Sequence, residues 1–143
     1  MAVEGCHICA MVESDDAATI VHRDDLWTAT MVTEVPGWLM LCVNRHAEGG
    51  WSLTPDEAAA FGPLYVAVST AIRQVCDAER VYLLYVGENA LHFHALALPR
   101  QADTPPDLWG PGIVARSPEL ANREKALQLV PRLRDAVAAA LRV

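Results

Sequence analysis

The sequence predicts an α+β domain: an antiparallel sheet of about five strands, a long central helix and a C-terminal helix. Three observations carry this. Several short segments are rich in β-branched or aromatic residues, or are almost continuously apolar, as strands are. Thr54-Pro55-Asp56-Glu57 opens a long stretch of helical apolar spacing midway along the chain. The order strand, strand, strand, helix, strand, strand, helix suits antiparallel pairing with helices packed on the sheet.

The elements follow in order. Residues 18–34, "ATIVHRDD" and "LWTATMVTE", read as a hairpin turning at Asp24-Asp25. After the interruption at 35–37, "WLMLCVN" (38–44) suits a buried strand, and "RHAEGG" is a loop. Thr54 caps the long helix, Pro55 suits its first position and Glu57 completes a capping box. Phe61, Leu64, Tyr65, Val68, Ile72 and Val75 then form one apolar face, and Pro63 predicts a kink or an irregular first turn. Residues 80–87 and 91–98 read as two further strands, with a connection short enough for an antiparallel hairpin. Residues 101–117 are extended or looped, and Ser117-Pro118-Glu119 opens a second helix interrupted near Pro131. All 143 residues make one domain, 1–100 being the core and 101–143 the loop and C-terminal helix.

Composition narrows the function. With 52% hydrophobic and 20% charged residues the chain is a folded, soluble type. Its net charge of −7 argues against general nucleic-acid or anionic-membrane binding, which require basic surface, but leaves room for a small anion in a local pocket. No basic, apolar leader opens the chain, so a cytoplasmic location is expected. In that reducing compartment the four cysteines are thiols or metal ligands, and Cys42 and Cys76, within apolar runs, are core residues.

In "LHFHALALPR" (91–100) strand alternation puts His92, His94, Leu96 and Leu98 on one face, the two histidines about 7 Å apart. An ordinary pair of half-buried histidines is the plain reading. Cys6-x-x-Cys9, Arg45-His46 and the H-x-H pair together nevertheless supply two sulfurs and two imidazoles, the donor set of a tetrahedral zinc site. His7 and His22 are read as surface residues.

"CHIC", "VPGWLMLCVNRHAEG", "LTPDEAAAF" and "YLLYVGENALHFHALALPR", in that order over residues 6–100, resemble the histidine triad superfamily of nucleotide hydrolases and transferases. The last segment is similar to the family's H-x-H-x-H-x-x followed by Pro-Arg. The resemblance implies a nucleophilic His94 attacking an α-phosphorus, and a structural Zn2+ held by Cys6, Cys9, His46 and His92. It also implies a small nucleotide or other anion as substrate and a homodimer. The galactose-1-phosphate uridylyltransferase branch, with glutamine at the third triad position, divides its first two histidines the same way.

Leu96 is the departure, standing where the family's third histidine donates to phosphate. Losing one such donor costs about 3 to 4 kcal/mol, a slowing of about 10² to 10³. Asn89 is a candidate replacement donor and Arg100 a candidate substrate cation, with Arg45 nearby, whereas an ionised Glu88 repels phosphate. Three functions follow: phosphoryl chemistry through His94; a diverted, biosynthetic reaction with His94 as acid or base and Leu96 shaping an apolar pocket; or a non-catalytic nucleotide-binding module.

Overall fold

Asp24 closes the first hairpin: its carboxylate accepts the backbone N–H groups of Leu26 and Trp27, both at 2.8 Å, and so shapes the turn. The computed structural model describes residues 2–142. Helix α1 spans His7–Glu13, followed by strands β1 (Ile20–Arg23), β2 (Trp27–Met31) and β3 (Leu39–Val43), helix α2 (Pro55–Cys76), strands β4 (Arg80–Leu84) and β5 (His94–Arg100), and helices α3 (Ser117–Leu120) and α4 (Arg123–Leu141). The five strands form one antiparallel sheet in the order β1-β2-β3-β5-β4. The α+β class and strand number are as the sequence predicts.

β3 is buried along its whole length, which is why it reads as an unbroken apolar run. Leu39, Leu41 and Val43, with Trp27, Ala29 and Ala97, face α2 and α4, meeting Leu64, Val68, Ile72, Val130 and Leu133. The opposite face carries Met40, Cys42, Leu96 and Leu98. It is covered at one end by Ile8, Met11 and Val12 of α1, and at the other by Ile113 and Leu120.

α2 begins with both halves of the capping box, Thr54 Oγ1 accepting Glu57 N–H at 3.1 Å and Glu57 Oε2 accepting Thr54 N–H at 2.8 Å. Pro63 does not interrupt the helix. It lies on the exposed side, as does Ala59, whose carbonyl loses its intrahelical partner to the proline. Pro131 is likewise exposed and α4 runs unbroken through it; the interruption falls earlier, where α3 makes one turn and Asn122 starts α4 afresh by accepting Lys125 N–H at 3.1 Å.

Three boundaries differ from the sequence reading. β4 ends at Leu84 and β5 begins at His94, so residues 85–93 form a loop in place of a tight hairpin. The "CHIC" segment starts a helix, Cys6 acting as its N-cap. Residues 106–108 and 110–116 wind into short 3-10 turns, tied to the sheet by Gly110 N–H donating to the Tyr82 hydroxyl at 2.9 Å. Among the described residues no helix is long and apolar enough to cross a membrane.

Candidate metal centre and active-site cavity

Helical spacing brings Cys6 and Cys9 to one side of the start of α1. The Cys6 sulfur accepts Cys9 N–H at 3.3 Å, and the Cys9 sulfur accepts Val3 N–H at 3.4 Å. His46 comes from the loop after β3. His92, fully buried just ahead of β5, donates Nε2–H to the Val43 carbonyl at 2.6 Å. That bond leaves Nδ1 with the lone pair, 3.5 Å from Cys6 Sγ and 3.3 Å from Cys9 Sγ. His46 Nδ1 lies 3.3 Å from Cys9 Sγ, and all four donor atoms fall within 4.8 Å of one another.

These spacings fit a metal. With Zn–S of about 2.3 Å and Zn–N of about 2.0 Å, the edges of a tetrahedron are about 3.3 to 3.8 Å. The neighbours are apolar: Ile8, Met40 and Cys42 are buried beside the cysteines. Burial holds the His92 imidazole below its usual range, helped by His46, His94 and His7 and opposed by the bond to Val43. Burial, with Cys6 alongside, raises the Cys9 thiol. A neutral imidazole is the form that binds metal, and a soft divalent cation supplies the positive charge that two thiolates require.

The loop carrying His46 is anchored by its neighbour. Arg45 donates Nε to Glu57 Oε1 at 2.9 Å, and NH2 to Glu57 Oε2 at 3.0 Å and the Ser52 carbonyl at 2.6 Å. Glu57 is buried, and Arg45 holds its carboxyl below the ordinary carboxylate range. Arg45 is therefore occupied in tying this loop to the start of α2.

His94 opens β5 across from Cys42. Its Nδ1–H donates to the His92 carbonyl at 2.7 Å, because a carbonyl can only accept, so in the neutral ring the lone pair is on Nε2. His94 lines a cavity of about 240 Å³. Leu84, Val86, Leu96, Pro111 and Val114 form its apolar wall, with Gly87, Glu88 and Asn89 on the polar side. No arginine or lysine lines it among the described residues.

The cavity thus gathers His94, Leu96 and Asn89, and the cysteine cluster gathers Cys6, Cys9, His46 and His92. Arg100 is not with them. It sits at the far end of β5, about 20 Å along the strand from His94. There it is 8% exposed, its guanidinium 4.4 Å from the centre of the Trp109 ring and its Nε without a partner. His7 is exposed as expected, but His22 is half-buried and bonds Asp24 at 2.8 Å. Cys42 is a core residue whose thiol burial pushes up to about 12. Pro111 and Val114 were not anticipated as cavity residues, since nothing in a proline- and glycine-rich segment says where it folds back.

A sheet of this order, with a histidine opening its fourth strand in space above a short cavity, defines the class: the chain has the histidine triad fold. It matches a hypothetical histidine triad nucleotide-binding protein from Sulfolobus tokodaii strain 7 over 94% of its length and 93% of that chain, at 18% identity and a TM-score of 0.73. A Zn-bound histidine triad family protein from Mycobacterium smegmatis matches at 19% identity and a TM-score of 0.68, covering 94% of both chains. A Hit-like protein involved in cell-cycle regulation from Bartonella henselae matches at 12% identity and a TM-score of 0.73, covering 95% of this chain and 99% of that one. Neither a protein-family sequence model nor a curated protein sequence matches the chain.

Proposed function

We propose that the protein is a histidine triad enzyme that hydrolyses a small nucleoside phosphate ester, anhydride or amidate, or transfers its nucleotidyl group, with His94 as nucleophile. The observation that carries this is the pinning of His94 Nδ1–H on the His92 carbonyl, in a ring that lines the cavity. The neutral form of an imidazole so held carries its lone pair on Nε2 and is oriented, the state a nucleophile needs. Nε2 forms a bond to phosphorus as the leaving oxygen or nitrogen departs with the bonding pair and takes a proton. Water, or an acceptor hydroxyl, then attacks phosphorus and frees His94. Asn89 donates to the developing phosphate charge, and Leu96 contacts the substrate as part of the apolar wall. Arg100, held beneath Trp109, is assigned to the fold.

Cys6, Cys9, His46 and His92 hold a structural Zn2+, which when bound clamps α1 to the loops before and after the central strands. The nucleotide-binding and Zn-bound proteins of the same fold support this reading. The protein acts in the cytoplasm as a homodimer through α2 and β4. Support for the dimer is that β4 is an edge strand with Leu83 exposed.

The cavity's lack of a cation, with Leu96 beside the nucleophile, favours one other reading: His94 as acid or base on an uncharged substrate. A panel of adenylyl and guanylyl phosphoramidates separates the two. Release of monophosphate that His94→Ala abolishes, with the fold intact, supports the enzyme. Nucleotide binding without turnover points to a binding module, and neither binding nor turnover to diverted chemistry.

A further inference from the structure

The chain has a single lysine, Lys125, and ten arginines. Most of these cations are held by the protein: Arg45 by Glu57, Arg116 by Glu119, Arg123 near Glu34, Arg23 and Arg134 by backbone carbonyls. Lys125 and Arg132 differ. Among the described residues neither has a carboxylate within salt-bridge distance or a side-chain hydrogen bond, although the chain is acidic overall.

Both line one cavity of about 240 Å³, where the end of α2, the residue after β5 and the start of α4 meet. Gln101 and Cys76 complete its polar side, Val75 and Leu129 its apolar side, and among the described residues no carboxylate lines it. Lys125, Leu129 and Arg132 are spaced to share a face of α4, so the helix presents both cations to the same space. Lys125 stands in the first turn, where the helix dipole disfavours a cation and favours an anion. Burial raises the Cys76 thiol, while Lys125 and Arg132 act on it in the opposite direction, as cations facing it must. Gln101 follows β5, roughly 20 Å along the chain from His94, so this is a different place from the His94 cavity.

We propose that this cavity binds a small oxyanion, a phosphate or carboxylate group on a short organic body, between the Lys125 ammonium and the Arg132 guanidinium, with the Gln101 amide as a further donor. The pair offers what such a group requires: a point charge, a planar fork of N–H donors and a neutral donor, beside an apolar patch for the attached carbon skeleton.

The single lysine makes the test simple. The full-length protein is acylated with an amine-reactive ester, and modification of Lys125 is followed by peptide mass spectrometry, the chain's terminal amine serving as the internal reference. Inorganic phosphate and succinate are the probes, with sodium chloride at equal ionic strength as control. At about 10 mM probe, a dissociation constant of about 1 mM gives about a tenfold slowing at Lys125 and none at the terminal amine. Arg132→Gln, on an exposed position, leaves the melting temperature unchanged and removes most of the protection. Protection by phosphate, by succinate or by both supports the site and says which oxyanion it prefers. No protection from either, protection equal to that of chloride, or protection undiminished in Arg132→Gln overturns it.

Discussion

Replacing Glu57 with glutamine tests the link between the start of α2 and the loop bearing His46. The carboxylate is 5% exposed and its partner Arg45 is 44% exposed. Glutamine preserves the shape but has one acceptor oxygen: with that oxygen on Thr54 N–H and Arg45 NH2, its amide nitrogen faces Arg45 Nε–H, so one bond from Arg45 is lost and the other loses its charge. A charge-assisted bond is worth about 2 kcal/mol and is about twice as strong as a neutral one, so losing one and neutralising the other costs about 3 kcal/mol before screening. Solvent screening at the exposed arginine reduces the sum to about 1.5 kcal/mol. In urea denaturation at pH 7 the unfolding free energy should fall by this amount, a drop of about 5 °C in melting temperature if followed thermally. Because Arg45 depresses the folded-state value, the carboxylate's contribution is complete above the unfolded value of about 4.3 and fades as pH falls through the lower folded value. The gap between wild type and Glu57→Gln should therefore narrow from pH 7 to pH 3. A variant as stable as wild type at pH 7, or a gap of the same size at both pH values, would refute the reasoning.

Three further outcomes are expected. Purified protein should carry one zinc per chain, lost in Cys9→Ser and in His92→Ala, and its removal by a chelator should cost about 4 kcal/mol against protein in zinc at a thousand times its dissociation constant; metal analysis and calorimetry check this. Leu96→His should raise phosphoramidate turnover at least about tenfold, since a phosphate donor is worth more than that, while lowering stability by about 1 to 2 kcal/mol; a fall in turnover by the folded variant would speak for the apolar-substrate reading. With its thiol near 12, Cys42 should resist alkylation at pH 8 in the native protein and react only on unfolding, as peptide mapping will show.

What could be read from the sequence depended on whether local chemistry settled it. The α2 start was legible because Thr54, Pro55 and Glu57 form a self-contained motif. The strands were legible from their apolar periods. The end of β4 was not, because Tyr85 and Val86 have strand propensity yet sit exposed in a loop that closes the His94 cavity. α1 was missed since a cysteine sulfur, in place of a serine or aspartate oxygen, caps it. Donor chemistry and the family resemblance nominated the four candidate zinc ligands, but only the sheet, by setting β3 beside β5, brings His46 to His92. Arg45 and Arg100 show the opposite limit: Arg100 read as a substrate cation with Arg45 nearby, and both are held by partners, Glu57 and Trp109, that no local pattern pairs with them.

The segment bearing Pro111 and Val114 belongs to none of the sheet's ladders, and Tyr82 grips it through one hydroxyl. The floor of the His94 cavity is fixed by strand register, so a change there disturbs the whole sheet. Its roof is pinned by the buried Ile113 and the Tyr82 hydroxyl, and the exposed positions around them can be rewritten at little cost to the rest of the molecule. Such a division holds His94 in place while the surface above it changes, and the exposed roof is where closely related chains should diverge first.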